Sequence, residues 1–125
     1  MIDYEKLDFE YKDDRGCLYQ LCHDGYKQIN ISETKAGVVR GGHFHKNNTE
    51  VFYIIKGEIH ITLEDNKTMN FVAKDNDFFS IKPGVVHTFE FIKDTRMVIL
   101  YDKGIEEAEG KKDIYPKEEK YNEKY

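Results

Sequence analysis

Two prolines and two cysteines are all that the 125 residues contain of either type, and arginine occurs only as Arg15, Arg40 and Arg96. With so little proline, chain reversals fall to Gly, Asn and Asp. Cys17 and Cys22 are five positions apart, a spacing that puts them on opposite faces of a strand. No disulfide between them is expected. No apolar run approaches the roughly 18 residues of a membrane-spanning helix, and no signal peptide is visible. The chain therefore reads as cytoplasmic and reduced, without a membrane partner. A formal net charge of −5 provides no basic face for nucleic acid. A small anionic ligand remains compatible, because a few well-placed cations suffice.

What the sequence does have is aromatic and charged. Eight Phe and nine Tyr favour pleated, half-buried surfaces, and a composition 39% hydrophobic and 34% charged is that of a globular protein. A single domain over 1–125 is expected from the length. Within it, residues 1–16 read as an N-terminal arm ending in the turn Asp13-Asp14-Arg15-Gly16, 17–103 as a barrel, and 104–125 as a charged C-terminal tail. That tail is compatible with a short helix, a strand laid on a partner subunit, or a frayed end. Short runs of Val, Ile, Phe, Tyr and Thr predict strands near 17–21, 26–34, 51–56, 58–64, 68–73, 77–81, 87–92 and 96–101. Hairpin turns are expected at Lys56-Gly57 and at Glu64-Asp65-Asn66-Lys67. No helical period is sustained before residue 104, so the fold class is all-β, a sandwich or barrel of antiparallel strands.

The chemistry gathers in Gly37-Val-Val-Arg40-Gly-Gly-His43-Phe-His45, followed by Glu50 and Gly57. On a strand His43 and His45 share a face. Glu50 opens the next strand, after the polar bend Lys46-Asn47-Asn48-Thr49. Pro83-Gly84-Val-Val-His87 supplies a third imidazole. Three imidazoles and a carboxylate suit a divalent ion such as Zn, Fe, Mn or Ni. His23 and His60 have no such spacing and read as surface histidines. Val38, Val39, Phe44, Phe52 and Ile54 are expected in the barrel core, with Phe44 turned from the metal into the opposite sheet.

Gly37-x5-His43-x-His45-x4-Glu50-x6-Gly57 resembles the first cupin motif with every spacing kept. Pro83-Gly84-x2-His87 resembles the second, with Asn76 in place of its leading Gly and Phe91 in place of its closing Asn. The resemblance implies a double-stranded β-helix, a jelly-roll barrel of two antiparallel sheets, with His43, His45, Glu50 and His87 as metal ligands. A narrower likeness covers Gln28-x-Asn30-x-Ser32, Arg40-Gly-Gly-His43-Phe, Pro83-Gly84-Val-Val-His87-Thr-Phe89 and Leu100-Tyr101. These stretches are similar to the dTDP-4-dehydrorhamnose 3,5-epimerases. The histidine core is also similar to the sugar-nucleotide 3,4-ketoisomerases and to the metal-binding cupin domain of capsular polysaccharide enzymes.

The epimerases carry Gln at the place of His45 and Lys at that of Glu50. The capsular domain keeps the metal set and is the nearest chemical analogue. What the likeness implies is an isomerase acting on a 4-keto nucleotide sugar in cell-surface polysaccharide synthesis. In it His43 is the base and Tyr101 the acid; Arg40, Gln28, Asn30 and Ser32 bind the substrate; and the chain forms a homodimer. The alternatives are a metal-dependent dioxygenase using the same four ligands and a non-catalytic cupin that binds a small ligand.

Overall fold

The computed structural model describes residues 2–122. Strands form where the β-branched and aromatic runs lie: β1 (Ile2–Tyr4), β2 (Phe9–Asp13), β3 (Gly16–Gln20), β4 (Gln28–Thr34), β5 (Val39–Phe44) and β6 (Glu50–Lys56). They continue as β7 (Glu58–Glu64), β8 (Thr68–Lys74), β9 (Phe78–Ile81), β10 (Val86–Phe91), β11 (Thr95–Tyr101) and β12 (Tyr115–Pro116), before the short helix α1 (Lys117–Asn122). Two antiparallel sheets, in the orders β1-β9-β6-β11-β4 and β12-β5-β10-β7-β8, make the expected double-stranded β-helix. Among the described residues no helix is long and apolar enough to cross a membrane.

The period-two alternation of β7 places Ile59, Ile61 and Leu63 inside, where each is fully buried. They meet Phe52, Ile54, Phe79, Phe89 and Phe91 in one core, and each such side chain contributes about 1.5–3 kcal/mol by leaving water. This apolar plug fills the barrel below the histidines. It leaves the polar rows of the opposite end facing a cavity.

One expectation is corrected: residues 17–21 do form a strand, but among the described residues β3 pairs with β2 as a separate hairpin, outside the two barrel sheets. From the expected arm, β1 extends the first sheet alongside β9. Of the forms open to residues 104–122, the short helix is present as α1, and β12 before it pairs with β5 of this same chain. Residues 123–125 of the expected tail, and Met1 of the expected arm, lie outside the described residues.

Val38 and Val39, expected in the core, are 37% and 61% exposed. For Val39 the reason is a bulge. His87 pairs with His43 and Thr88 with Gly41, so Gly42 is an extra residue in β5 and shifts its alternation. Arg40 and His43 therefore face the same side at an odd spacing, and Val39 turns outward. Phe44 does point away from the histidines, but it packs on Tyr115, with ring centroids 5.6 Å apart, rather than entering the opposite sheet.

Candidate active site

Sheet registry builds the site in rows. Gln28, Tyr101 and Glu50 lie side by side across β4, β11 and β6; the next row inward is Asn30, Ile99 and Phe52, and the next Ser32, Met97 and Ile54. From the facing sheet, His43 and His87 form a cross-strand pair on β5 and β10, and His45 follows β5 directly. These rows enclose a cavity of about 290 Å³ lined by all nine residues singled out from the sequence: Gln28, Asn30, Ser32, Arg40, His43, His45, Glu50, His87 and Tyr101. Its floor is Phe89, Phe91, Met97 and Ile99, and Ile105 and Ile114 add a wall from the C-terminal segment.

The three imidazoles offer nitrogens within 4.8 Å of one another. Glu50 Oε1 lies 3.3 Å from His45 Nε2 and 3.2 Å from His87 Nε2. Those two separations match the roughly 3.0–3.4 Å expected between neighbouring ligands that each sit about 2.0–2.2 Å from one ion. His87 Nε2 is buried and has no hydrogen-bond partner among the described residues, which is the condition of a nitrogen whose lone pair is free for an ion. Its Nδ1 lies 3.2 Å from the Val85 carbonyl, and that oxygen can only accept, so Nδ1 carries the proton. The donor set therefore fits a divalent metal, with His45, His87 and Glu50 in contact and His43 completing the cluster.

Electrostatics agree with this arrangement. Burial, reinforced by the neighbouring His87 and His45, depresses His43 to about 4, so its ring is neutral near pH 7. Burial likewise lowers His87. For His45 burial acts in the same direction, but the hydrogen bond and charge of Glu50 outweigh it and raise the pKa. Burial would raise Glu50, yet its bond to His45 and the nearby His87 hold it below the usual carboxylate range. Burial and then the Glu50 charge push Tyr101 up, so its phenol stays protonated, with a hydrogen bond to Glu50.

The rim residues differ in their freedom. Arg40 is exposed and makes no ion pair among the described residues. Gln28 is already engaged: its Oε1 accepts the Ile105 N–H at 2.7 Å, so its carbonyl secures the C-terminal segment rather than facing a ligand. Ser32 Oγ sits 3.4 Å from Thr34 Oγ1. His23 and His60 stay at the surface beside Asp8 and Glu90.

The C-terminal segment brings to the site residues that the sequence did not single out. Asp113 is completely buried, and its carbonyl oxygen accepts from His45 Nδ1 at 2.7 Å. Asn48, read as part of a polar bend, is also buried; it donates to Asp113 and accepts from the Lys103 and Gly104 amides. A lone Asp in Lys-Lys-Asp-Ile-Tyr carries no periodic signal, and only the return of the chain to β5 gives it a role.

A family model described as Polysaccharide biosynthesis C-terminal domain matches residues 11–108. The spore coat polysaccharide biosynthesis protein SpsL of Bacillus subtilis (strain 168) is 26% identical over 119 residues, spanning 81% of this chain and 79% of that protein. Among solved structures, the 3,4-ketoisomerase QdtA of Thermoanaerobacterium thermosaccharolyticum, a mutant in complex with TDP-4-keto-6-deoxyglucose, superimposes with a TM-score of 0.79 at 17% identity, over 98% of this chain and 92% of that one. The dTDP-4-dehydrorhamnose 3,5-epimerase of Sulfolobus tokodaii gives 0.65 at 20% identity, over 80% and 74%. At these identities the structural likeness establishes the RmlC-like cupin fold.

Proposed function

The chain belongs to the polysaccharide biosynthesis C-terminal domain family, and from that premise we propose that it isomerises or epimerises a 4-keto nucleotide sugar in cell-surface polysaccharide synthesis. The observation that carries this reading is one cavity joining a neutral imidazole, a protonated phenol, a rim cation and a ligand set for an ion. The similar ketoisomerase that holds TDP-4-keto-6-deoxyglucose supports the substrate class, and the spore coat relative supports the setting. A volume of about 290 Å³ lies below the roughly 300–1,000 Å³ of pockets for drug-sized ligands. It suits a sugar ring, with the nucleotide outside along Arg40.

A ketone acidifies the C–H bonds beside it. A base removes one proton, an enolate forms, and an acid returns a proton to another face or carbon. The neutral ring of His43 has a lone pair for the first step. The protonated Tyr101 is a donor for the last, once its hydrogen leaves Glu50. The Arg40 guanidinium can grip a diphosphate with two parallel hydrogen bonds, and Asn30 and Ser32 offer polar groups to sugar hydroxyls. A bound divalent ion would supply Lewis-acid stabilisation of the enolate oxygen, held by His45, His87 and Glu50 with or without His43. One nitrogen cannot hold an ion and take a carbon-bound proton together. His43 is the base in the three-ligand version and a ligand in the four-ligand one.

The test pairs elemental analysis of the purified protein with proton exchange of a TDP-4-keto-6-deoxy sugar in deuterated water. One equivalent of metal and deuterium uptake beside the ketone are expected. Stoichiometric metal without uptake would sink the isomerase reading and leave the dioxygenase or the binding cupin. Tyr101→Phe is expected to slow turnover by roughly 10²-fold or more with metal content unchanged, and an unaltered rate would remove Tyr101 from the chemistry. Arg40→Ala is expected to raise the Kd for TDP by about tenfold, in line with the roughly 1.5–3 kcal/mol of a charged hydrogen bond. An unmoved Kd in calorimetry would assign Arg40 to the surface.

The homodimer belongs to the same proposal. β4 is a free sheet edge, and its outward Ile29 and Ile31 are 64% and 61% exposed. A monomer in sedimentation equilibrium would remove it.

A further inference from the structure

His45 and Glu50 are five residues apart, and the bend between them is where their relative position is set. That bend has no strand partner of its own. Three of its four backbone amides go to one buried carboxylate from far along the chain, and the fourth, the Thr49 N–H, donates to Asp102 Oδ1 at 2.9 Å. Asp113 Oδ1 accepts the Lys46 N–H at 2.8 Å, and Oδ2 accepts the Asn47 and Asn48 N–H groups at 3.0 Å each and the Asn48 side-chain amide at 2.7 Å. Four donors from three consecutive residues therefore converge on one acceptor group. Asn48 also grips Gly104, accepting its amide at 2.9 Å and donating to its carbonyl at 2.9 Å. The Asp113 amide in turn donates to the Ile105 carbonyl at 2.8 Å. Bend and C-terminal segment are thus one closed polar unit.

The same residue reaches the site by its main chain. Its carbonyl lies 2.7 Å from His45 Nδ1, and a carbonyl only accepts, so Nδ1 carries hydrogen. When the ring is neutral, Nε2 is then bare, on the side of Glu50 and His87. The Asp113 carboxylate itself has no bond to an imidazole among its hydrogen bonds. It acts through the backbone it organises.

We propose that Asp113 is a positioning residue of this site: its carboxylate fixes the His45–Glu50 bend while its carbonyl fixes the proton and orientation of the His45 ring. The proposal rests on the reading that His45 and Glu50 are working groups of the cavity. A neutral amide in place of the carboxylate keeps one acceptor and turns an N–H₂ toward backbone N–H groups, a clash of donors. Bend and carbonyl then shift together.

The experiment uses Asp113→Asn and Asp113→Glu in the full chain, with Co²⁺ as probe. In folded Asp113→Asn, Co²⁺ affinity is expected to fall about 10–100-fold, the range for groups that support metal ligands, and the visible ligand-field bands to move. Asp113→Glu, which keeps the charge, is expected to recover part of the affinity. Wild-type affinity and bands in a folded Asp113→Asn protein would overturn the proposal. A second measurement needs no variant and no metal. Side-chain ¹⁵N correlation spectra of metal-free wild-type protein, at a pH where His45 is neutral, should show hydrogen on Nδ1 and none on Nε2. A bare Nδ1 would overturn the proposal even if the variants do not fold. Failure of wild-type protein to take up Co²⁺ would count against the metal, not against Asp113, whose role the ¹⁵N spectra decide.

Discussion

Replacing His45 by alanine is expected to remove stoichiometric metal from the purified protein while the β-barrel remains. His45 is 4% exposed, touches Glu50 at 3.3 Å, and receives a second tie from the Asp113 carbonyl at 2.7 Å. Both of its ring nitrogens have polar partners in this chain, the Asp113 carbonyl and the Glu50 carboxylate. Its loss removes a ligand and also the group that holds the Glu50 carboxylate ionised. Affinity should fall by more than the roughly 10–100-fold that a merely supporting residue is worth. Breaking a buried charge pair costs about 3–5 kcal/mol, so the thermal midpoint should drop as well. The apolar core around Phe52, Ile54, Ile59, Ile61 and Leu63 does not include this position, and the far-ultraviolet dichroism should stay that of a β protein. The decisive numbers are metal per chain and the Co²⁺ Kd. Unchanged values for both would show that the ligand assignment is wrong.

Gly57→Ala is expected to be the most destabilising conservative change in the barrel. Gly57 joins β6 to β7 with φ +141°, a conformation side chains rarely adopt. A methyl group there would sit 2.2 Å from Thr95 Oγ1 and 2.7 Å from Thr95 Cα. Thr95 cannot step aside freely, because its hydroxyl donates to the Lys93 carbonyl at 2.9 Å and it opens β11, the strand that ends in Tyr101. Backbone strain of about 1–3 kcal/mol and overpacking of about 1–3 kcal/mol then add. Together they take a large share of a typical stability of roughly 5–15 kcal/mol. The matched control is Gly25→Ala: φ is +91° but nothing lies within 4 Å, so only the conformational cost applies. Thermal denaturation of the pair should separate them by about 5 °C or more. Equal midpoints would mean that the close approach to Thr95 carries no energetic weight.

The strands that could be read from sequence are those whose alternation is uninterrupted. β7 is the plainest case, with Ile59, Ile61 and Leu63 inside and His60 and Thr62 outside. β4 was equally readable, because Gln28, Asn30 and Ser32 alternate with Ile29 and Ile31. β5 was not, since Gly41 and Gly42 interrupt its pattern and the extra residue exchanges the faces of Val39 and Arg40. β1 and β2 lie in a charged stretch where apolar residues are too few to show a period. Their strand character comes from the partners they pair with.

The site divides in the same way. His43, His45, Glu50 and His87 were legible because local strand geometry and motif spacing constrain them, Arg40 because it stands in the same motif, and Tyr101 through the likeness to the 3,5-epimerases. Their meeting in one cavity depended on how far the two sheets close, which no spacing encodes. Asp113 and Asn48 were not legible, because their roles arise from contacts 65 residues apart in the chain.

The sequence by itself determined the class of fold, the ligand-type residues and the faces they share, since period two and short motifs are local properties of the chain. The tertiary structure alone decided that the C-terminal segment returns to β5, that Gln28 secures it through Ile105, and that a buried Asp113 holds the bend between His45 and Glu50. A buried carboxylate is stable only where enough donors converge on it, and here those donors come from a bend about 65 residues earlier in the chain.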